Sequence, residues 1–164
     1  MKRLAIMRHA KSDWNSASQT DHDRPLNARG KREAVDVANQ LLHLNWIPDC
    51  VLSSDAKRTT ETWQLSSGVF AQRGYQIPVI FIPSFYLAGL EEIQKNICVP
   101  QHNIHHNILV LGHNSGWENA AQALCQRPIS MTTSNVILLE HLANSWNDAI
   151  HSREWKFIAH ITPT

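Results

Sequence analysis

The chain of 164 residues holds only three cysteines, Cys50, Cys98 and Cys125. They are odd in number and far apart, which argues against a disulfide framework and fits a reducing compartment. Cys50 and Cys125 stand in apolar surroundings and are expected to be core residues. Charge of either sign is scarce in excess: the net charge is +1, so no global attraction to nucleic acid or a membrane surface is expected. Long apolar runs are missing too, since no segment approaches the roughly 20 residues of a membrane span. The stretch Leu4–Met7 behind Met1-Lys2-Arg3 is shorter than the roughly 7 to 15 residues of a secretory signal core. A soluble, cytoplasmic protein is the expectation. There is no internal repeat, no low-complexity segment, and no nucleotide-type P-loop, because Gly112 to Gly116 lacks the lysine that such a loop requires.

What is present is an alternation of short apolar runs with segments of helical spacing. Arg3–Met7, Cys50–Ser53, Val79–Ile82, Ile108–Leu111, Val136–Leu139 and Trp155–Ile161 read as strands. Ala34, Val35, Ala38, Leu41 and Leu42 recur at helical spacing behind Asn27, a candidate N-cap, and Pro48 stops that segment. Further helices are expected over Asp55 to about Phe70, Glu91 to Val99 and Gly116 to Cys125. The polar stretch between the last two strands is expected to be a loop. This order predicts one α/β domain over residues 1–164, with a mainly parallel sheet covered by helices on both faces as a three-layer α/β/α sandwich. A chain of this length buries roughly 70% of its unfolded surface.

In such sheets ligands bind beyond the carboxyl ends of the strands. Arg8, His9, Ser54, Arg58, His113 and Asn114 all fall there. An arginine clamps a phosphoryl group through parallel hydrogen bonds, and an unprotonated histidine attacks one and carries it covalently. Two guanidiniums beside His9 would hold its pKa down and stabilise negative charge on the phosphoryl oxygens. Gly112 and Gly116 would let the backbone turn sharply around His113, whose helix N-terminus favours an anion. Taken singly, each of these residues has an ordinary explanation; together they predict a phosphate pocket with a nucleophile in it.

Arg8-His9-Ala10, the segment Ser54–Thr62 with Arg58, and Gly112-His113-Asn114 resemble the histidine phosphatase, or phosphoglycerate-mutase-like, superfamily. The size and Arg24-Pro25-Leu26-Asn27-Ala28-Arg29-Gly30 resemble most the SixA-type phosphohistidine phosphatases. The resemblance implies His9 as nucleophile, Arg8, Arg58 and His113 as phosphoryl-binding partners, and Arg24, Asn15 and Asn114 as further substrate contacts. It implies no metal, no other cofactor and no cap domain. Ala10 departs from the glycine of the commonest motif, and Ser115 from a frequent proline.

Larger members of the family supply a carboxylic acid from an insertion after the third strand. Here that region is Pro83–Glu92, with Glu91, Glu92 and Asp13 as weak candidates. A phosphomonoester needs a proton for its leaving group, whereas a phosphohistidine releases an imidazole of pKa about 6.5. The expected activity is removal of phosphate from phosphohistidine on a protein such as a phosphotransfer domain. A small-molecule phosphomonoesterase and a non-catalytic phosphate binder are the alternatives. His102, His105 and His106 are expected to form a surface loop, since zinc takes further ligands at fixed spacings and no cysteine or carboxylate stands suitably close. Trp14 and Trp117 each follow a motif closely and either line the pocket mouth or pack in the core.

Overall fold

The computed structural model describes residues 1–15 and 20–164. Six strands form one sheet: β1 (Lys2–Arg8), β2 (Cys50–Ser54), β3 (Val79–Ile82), β4 (Asn107–Gly112), β5 (Val136–His141) and β6 (Lys156–Ile161). Their order is β3-β2-β4-β1-β5-β6. The first four run parallel, and β5 pairs antiparallel with both β1 and β6. β1, β2 and β4, with the apolar runs Leu4–Met7, Cys50–Leu52 and Ile108–Leu111, lie in the middle, and those runs are buried on both faces, as parallel strands under two helical layers must be.

The period-two alternation of each strand divides the core. Leu4, Ile6, Leu52, Ile108 and Val110 face one side, with Ile93 and Ile97 of α3 (Leu90–Ile97), and with Trp117, Ala121 and Leu124 of α4 (Gly116–Cys125). Ala5, Met7, Val51, Leu109 and Leu111 face the other, against Val37, Ala38 and Leu41 of α1 (Ala28–His43) and Trp63 and Phe70 of α2 (Lys57–Ala71). The result is the expected α/β/α layering, with no cap domain among the described residues.

Local chemistry sets the boundaries. Asn27 caps α1 by accepting the Gly30 amide at 2.8 Å. The second helix starts at Lys57, not Asp55, because the Ala56 amide donates to Ser54 Oγ at 3.2 Å and holds that stretch as a turn. The stretch after β5 is not all loop: α5 (Trp146–Ile150) is capped by Ser145 and buries Trp146, Ala149 and Ile150. Its apolar residues at i, i+3 and i+4 are helical spacing in too short a run to stand out. Cys50 is buried as expected, and Cys125 is half-buried at the core edge.

Gly112 and Gly116 are not sharp-turn glycines, since neither has a positive φ. They permit close approach. A Cβ on Gly116 would lie 1.8 Å from the Ala88 carbonyl oxygen, and one on Gly112 would lie 2.5 Å from the Trp117 indole. Trp117 is thereby a core residue beneath the His113 loop, with its Nε1 donating to the Val110 carbonyl.

Candidate active site

The carboxyl ends of β1, β2 and β4 bring Arg8, His9, Ser54 and His113 together. The backbone is stitched first: the His9 amide donates to the Gly112 carbonyl at 3.1 Å, and the Ala10 amide to Thr62 Oγ1 at 3.0 Å. Ala10 is fully buried with Leu26 and Ala34, so its methyl group fills a small apolar contact under the pocket.

His9 is buried, and its ring lies 5.3 Å from that of His113. Its Nδ1 is 2.7 Å from the Ala10 carbonyl oxygen. A carbonyl only accepts, so Nδ1 carries the hydrogen of the neutral ring and Nε2 keeps its lone pair. Burial pushes the His9 pKa down to about 3; Arg58, Arg8 and Arg24 push the same way. The guanidiniums thus act in the expected direction, but desolvation is the larger cause.

His113 is likewise held down at about 3, chiefly by burial. Its Nε2 faces Ser54 Oγ at 2.8 Å. That oxygen already accepts the Ala56 amide, so the assignment that satisfies all three groups has the hydroxyl donating to Nε2. His113 then carries its hydrogen on Nδ1, which is buried without a partner.

Three arginines converge. Arg8 Nη1 donates to the Met131 carbonyl at 2.9 Å. Arg58, at the first turn of α2, donates from Nη1 to the Asp21 carbonyl at 2.7 Å and from Nη2 to Asp21 Oδ2 at 3.1 Å. Arg24 Nη2 donates to Asp21 Oδ1 at 3.0 Å, and its Nη1 to Ser12 Oγ. The exposed Trp14 ring covers the Arg24 guanidinium at 3.5 Å. The buried Nε of Arg8, Arg24 and Arg58 each lack an acceptor among the described residues.

Asp21 and Tyr86 were not singled out by the sequence. One carboxylate, Asp21, bridges Arg24 and Arg58 and accepts the Tyr86 hydroxyl. That hydroxyl, with the two guanidiniums, holds the Asp21 carboxyl well below the usual carboxylate range. Tyr86 follows β3 through a 3-10 turn (Pro83–Phe85), and its ring meets His113 edge-on at 5.4 Å. The usable signal was the acid three residues before Arg24 and an aromatic at a fourth strand end.

Two expected contacts sit differently. Asn114 Nδ2 donates to the Met131 carbonyl at 2.8 Å and to Glu118 Oε2 at 3.3 Å, so its amide ties the Met131 loop to α4. Asn15 is exposed, its backbone amide donating to Asp13 Oδ1 at 2.8 Å. The weak acid candidates are engaged elsewhere: Glu91 and Glu92 pair with Lys95, and Asp13 holds Asn15.

A family model described as histidine phosphatase superfamily (branch 1) matches residues 4–85. The chain belongs to this superfamily. An uncharacterized chloroplastic protein of Arabidopsis thaliana is 41% identical over 155 residues, covering 90% of this chain and 70% of its own. Among solved structures, a protein of Agrobacterium tumefaciens assigned as the phosphohistidine phosphatase SixA superposes with a TM-score of 0.82 and 27% identity, over 99% of this chain and 98% of its own. The protein histidine phosphatase SixA solved with tungstate gives 0.81 and 19%, over 98% and 97%, a likeness of fold. This member of the histidine phosphatase superfamily therefore has the SixA-like fold that its motifs implied. No helix among the described residues is long and apolar enough to cross a membrane. The cytoplasmic expectation has no support from the relatives, the Arabidopsis protein being named chloroplastic.

Asp21 occupies hydrogen bonds of the Arg24 and Arg58 guanidiniums, the donors expected from the sequence to bind phosphate. Asp21→Asn removes the competing charge and is expected to tighten binding of inorganic phosphate by about 3- to 5-fold, the scale of a partly exposed ion pair. Calorimetric titration of both proteins measures this; weaker binding by the variant would assign Asp21 to orienting the arginines instead.

Proposed function

We propose that this protein is a phosphatase that takes the phosphoryl group of a protein phosphohistidine onto His9 Nε2 and then passes it to water. The observation that carries this reading is the His9 ring itself. It is neutral, its Nδ1 is fixed by the Ala10 carbonyl, and its free Nε2 stands among three arginines. In the first step a bond forms between Nε2 and phosphorus while the substrate imidazole leaves with the bonding pair. In the second, water attacks phospho-His9, inorganic phosphate leaves, and Nε2 recovers its lone pair. Arg8, Arg24, Arg58 and the Nδ1–H of His113 neutralise charge on the phosphoryl oxygens in both steps. Ser54 holds His113 in the tautomer that donates.

The substrate class follows from the proton inventory. A phosphohistidine protonated on its second ring nitrogen leaves as neutral imidazole and needs no acid from the protein. The carboxylate among the guanidiniums, Asp21, is ionised and has no proton to give. The absence of a cap over the strand ends suits a phosphorylated protein surface, such as a phosphotransfer domain. The SixA assignment of the Agrobacterium neighbour supports the same substrate.

A second reading, a small-molecule phosphomonoesterase, is favoured by one group. The Tyr86 ring packs edge-on against His113, and its hydroxyl, bonded to Asp21, has a pKa raised by burial and by Asp21, so it keeps a proton that an alkoxide could take. Side-by-side assays with a phosphohistidine-carrying protein, para-nitrophenyl phosphate and sugar phosphates decide between them. We expect kcat/KM for the phosphoprotein to exceed that for either ester by about 100-fold or more, a margin of about 3 kcal/mol in transition-state binding. Faster turnover of an ester would overturn the substrate assignment.

A further inference from the structure

At the opposite end of the sheet, Cys50, His102 and His105 offer ligand atoms that all lie within 4.8 Å of one another. Chain position alone offers no reason to expect this, because Cys50 is remote in the chain from the histidines. The fold supplies the proximity. Cys50 opens β2 and pairs in register with Ile108 of β4. The segment that feeds β4 is the turn carrying both histidines, so the expectation that no cysteine stands near them is corrected by the strand order. The two imidazoles face the same way because Pro100–His102 is a 3-10 turn, continued by the His105 amide donating to the His102 carbonyl at 3.0 Å. In that geometry side chains three apart eclipse, and the two rings lie 5.7 Å apart.

We infer that Cys50, His102 and His105 form a zinc site. Three features support it beyond proximity. First, His102 is 3% exposed and its Nδ1 is buried without a partner, a cost that a metal bond removes. Second, the backbone around the ligands is already fixed. Lys2 Nζ donates to the Asn103 and His105 carbonyls, Trp146 Nε1 donates to the His105 carbonyl, and Asp49 Oδ2 accepts the His106 and Asn107 amides. Third, the donor set is one thiolate and two imidazoles, which suits zinc and disfavours magnesium or calcium. The Lys2 ammonium adds positive charge nearby and the Asp49 carboxylate offsets it.

Tetrahedral zinc bonds of about 2.0 to 2.3 Å place ligand atoms about 3.3 to 3.6 Å apart. The three side chains therefore close by about an ångström on binding, which torsional adjustment supplies. Cys50 gives up its thiol proton to the solvent, and both histidines bind as neutral rings. His105 is half-buried, so the site borders solvent on that side, from which water would supply the fourth ligand. The site joins the start of β2 to the turn before β4, a full strand length from His9. Its role is to clamp the fold, not to take part in phosphoryl transfer.

Cobalt(II) titrated into the chelator-treated full-length protein reports on this directly. We expect one equivalent to give the near-ultraviolet sulfur-to-cobalt charge-transfer band and the visible bands of a tetrahedral site. Zinc at about 100 times its Kd should raise the Tm by about 5 to 10 °C. Both signals should be lost in Cys50→Ser and His105→Ala, while His9→Ala keeps them. Should Cys50→Ser fail to fold, the partly exposed His105→Ala decides. Absence of the charge-transfer band, or zinc stabilisation that survives His105→Ala or disappears in His9→Ala, would overturn the assignment.

Discussion

His9→Ala is expected to lower kcat by at least about 10^4-fold while the protein remains folded. The magnitude follows from removing the only atom, Nε2, that forms the covalent bond in both half-reactions. Folding survives because the contacts that place this position come from its backbone: its amide reaches the Gly112 carbonyl and its own carbonyl accepts the Ser134 amide. The side chain makes one hydrogen bond, to Ala10. Brief incubation of the native protein with a phosphorylated substrate, followed by an alkaline quench, should leave an acid-labile, alkali-stable phosphate on His9; the variant should leave none. Undiminished turnover by the variant would remove the covalent mechanism.

The same substitution has a measurable effect on stability against pH. The folded state holds His9 near pKa 3, and an unfolded chain holds a histidine near 6.5. Between those values the unfolded state binds more protons, so stability is complete above about pH 6.5 and declines as pH falls toward 3. His9 contributes up to about 1.4 kcal/mol per pH unit to that slope. Denaturant titrations of native and His9→Ala protein between pH 6.5 and 4 should show the variant losing stability less steeply.

Arg58→Ala is expected to reduce kcat/KM by about 10^2- to 10^3-fold, the loss typical of one donor to a developing anion. Arg58 is 2% exposed and is positioned by the first turn of α2. Arg58→Lys should recover only part of the loss, since an ammonium keeps the charge but not the planar pair of donors. Removal of Arg58 also leaves Asp21 with Arg24 and Tyr86 alone. A denaturation midpoint measured beside the kinetics separates lost catalysis from lost fold. Retention of most activity in Arg58→Ala would place the transferring phosphoryl group elsewhere.

Much of the architecture was legible because burial on two faces leaves an unmistakable trace. Leu4–Met7 and Ile108–Leu111 are apolar at every position, and only a central parallel strand requires that. The convergence of Arg8, His9 and His113 was legible because they sit directly at strand ends, where Arg8-His9 and His113 interrupt the apolar runs; the role of His9 as nucleophile is our proposal. What the sequence did not display was contact between distant segments. Asp21 reads as one more solvated acid until Arg58, Arg24 and Tyr86 close around it. Cys50 reads as a core thiol until strand order sets β4 beside β2. Asn114 reads as a pocket residue, yet its amide is engaged by Met131 and Glu118. The α5 helix hid in a polar stretch because five residues are too few to show a period.

The Asp21 bridge has a consequence for affinity. A carboxylate tethered beside two guanidiniums is an intramolecular ligand at a fixed, high effective concentration. On the proposed function any phosphate competes with it, so a bare phosphoryl group is expected to be held weakly, and the product anion as weakly as the incoming one. Tight recognition then has to come from surface outside the pocket. A whole protein carrying its phosphohistidine brings such surface, whereas a small ester brings little besides the group that Asp21 already imitates.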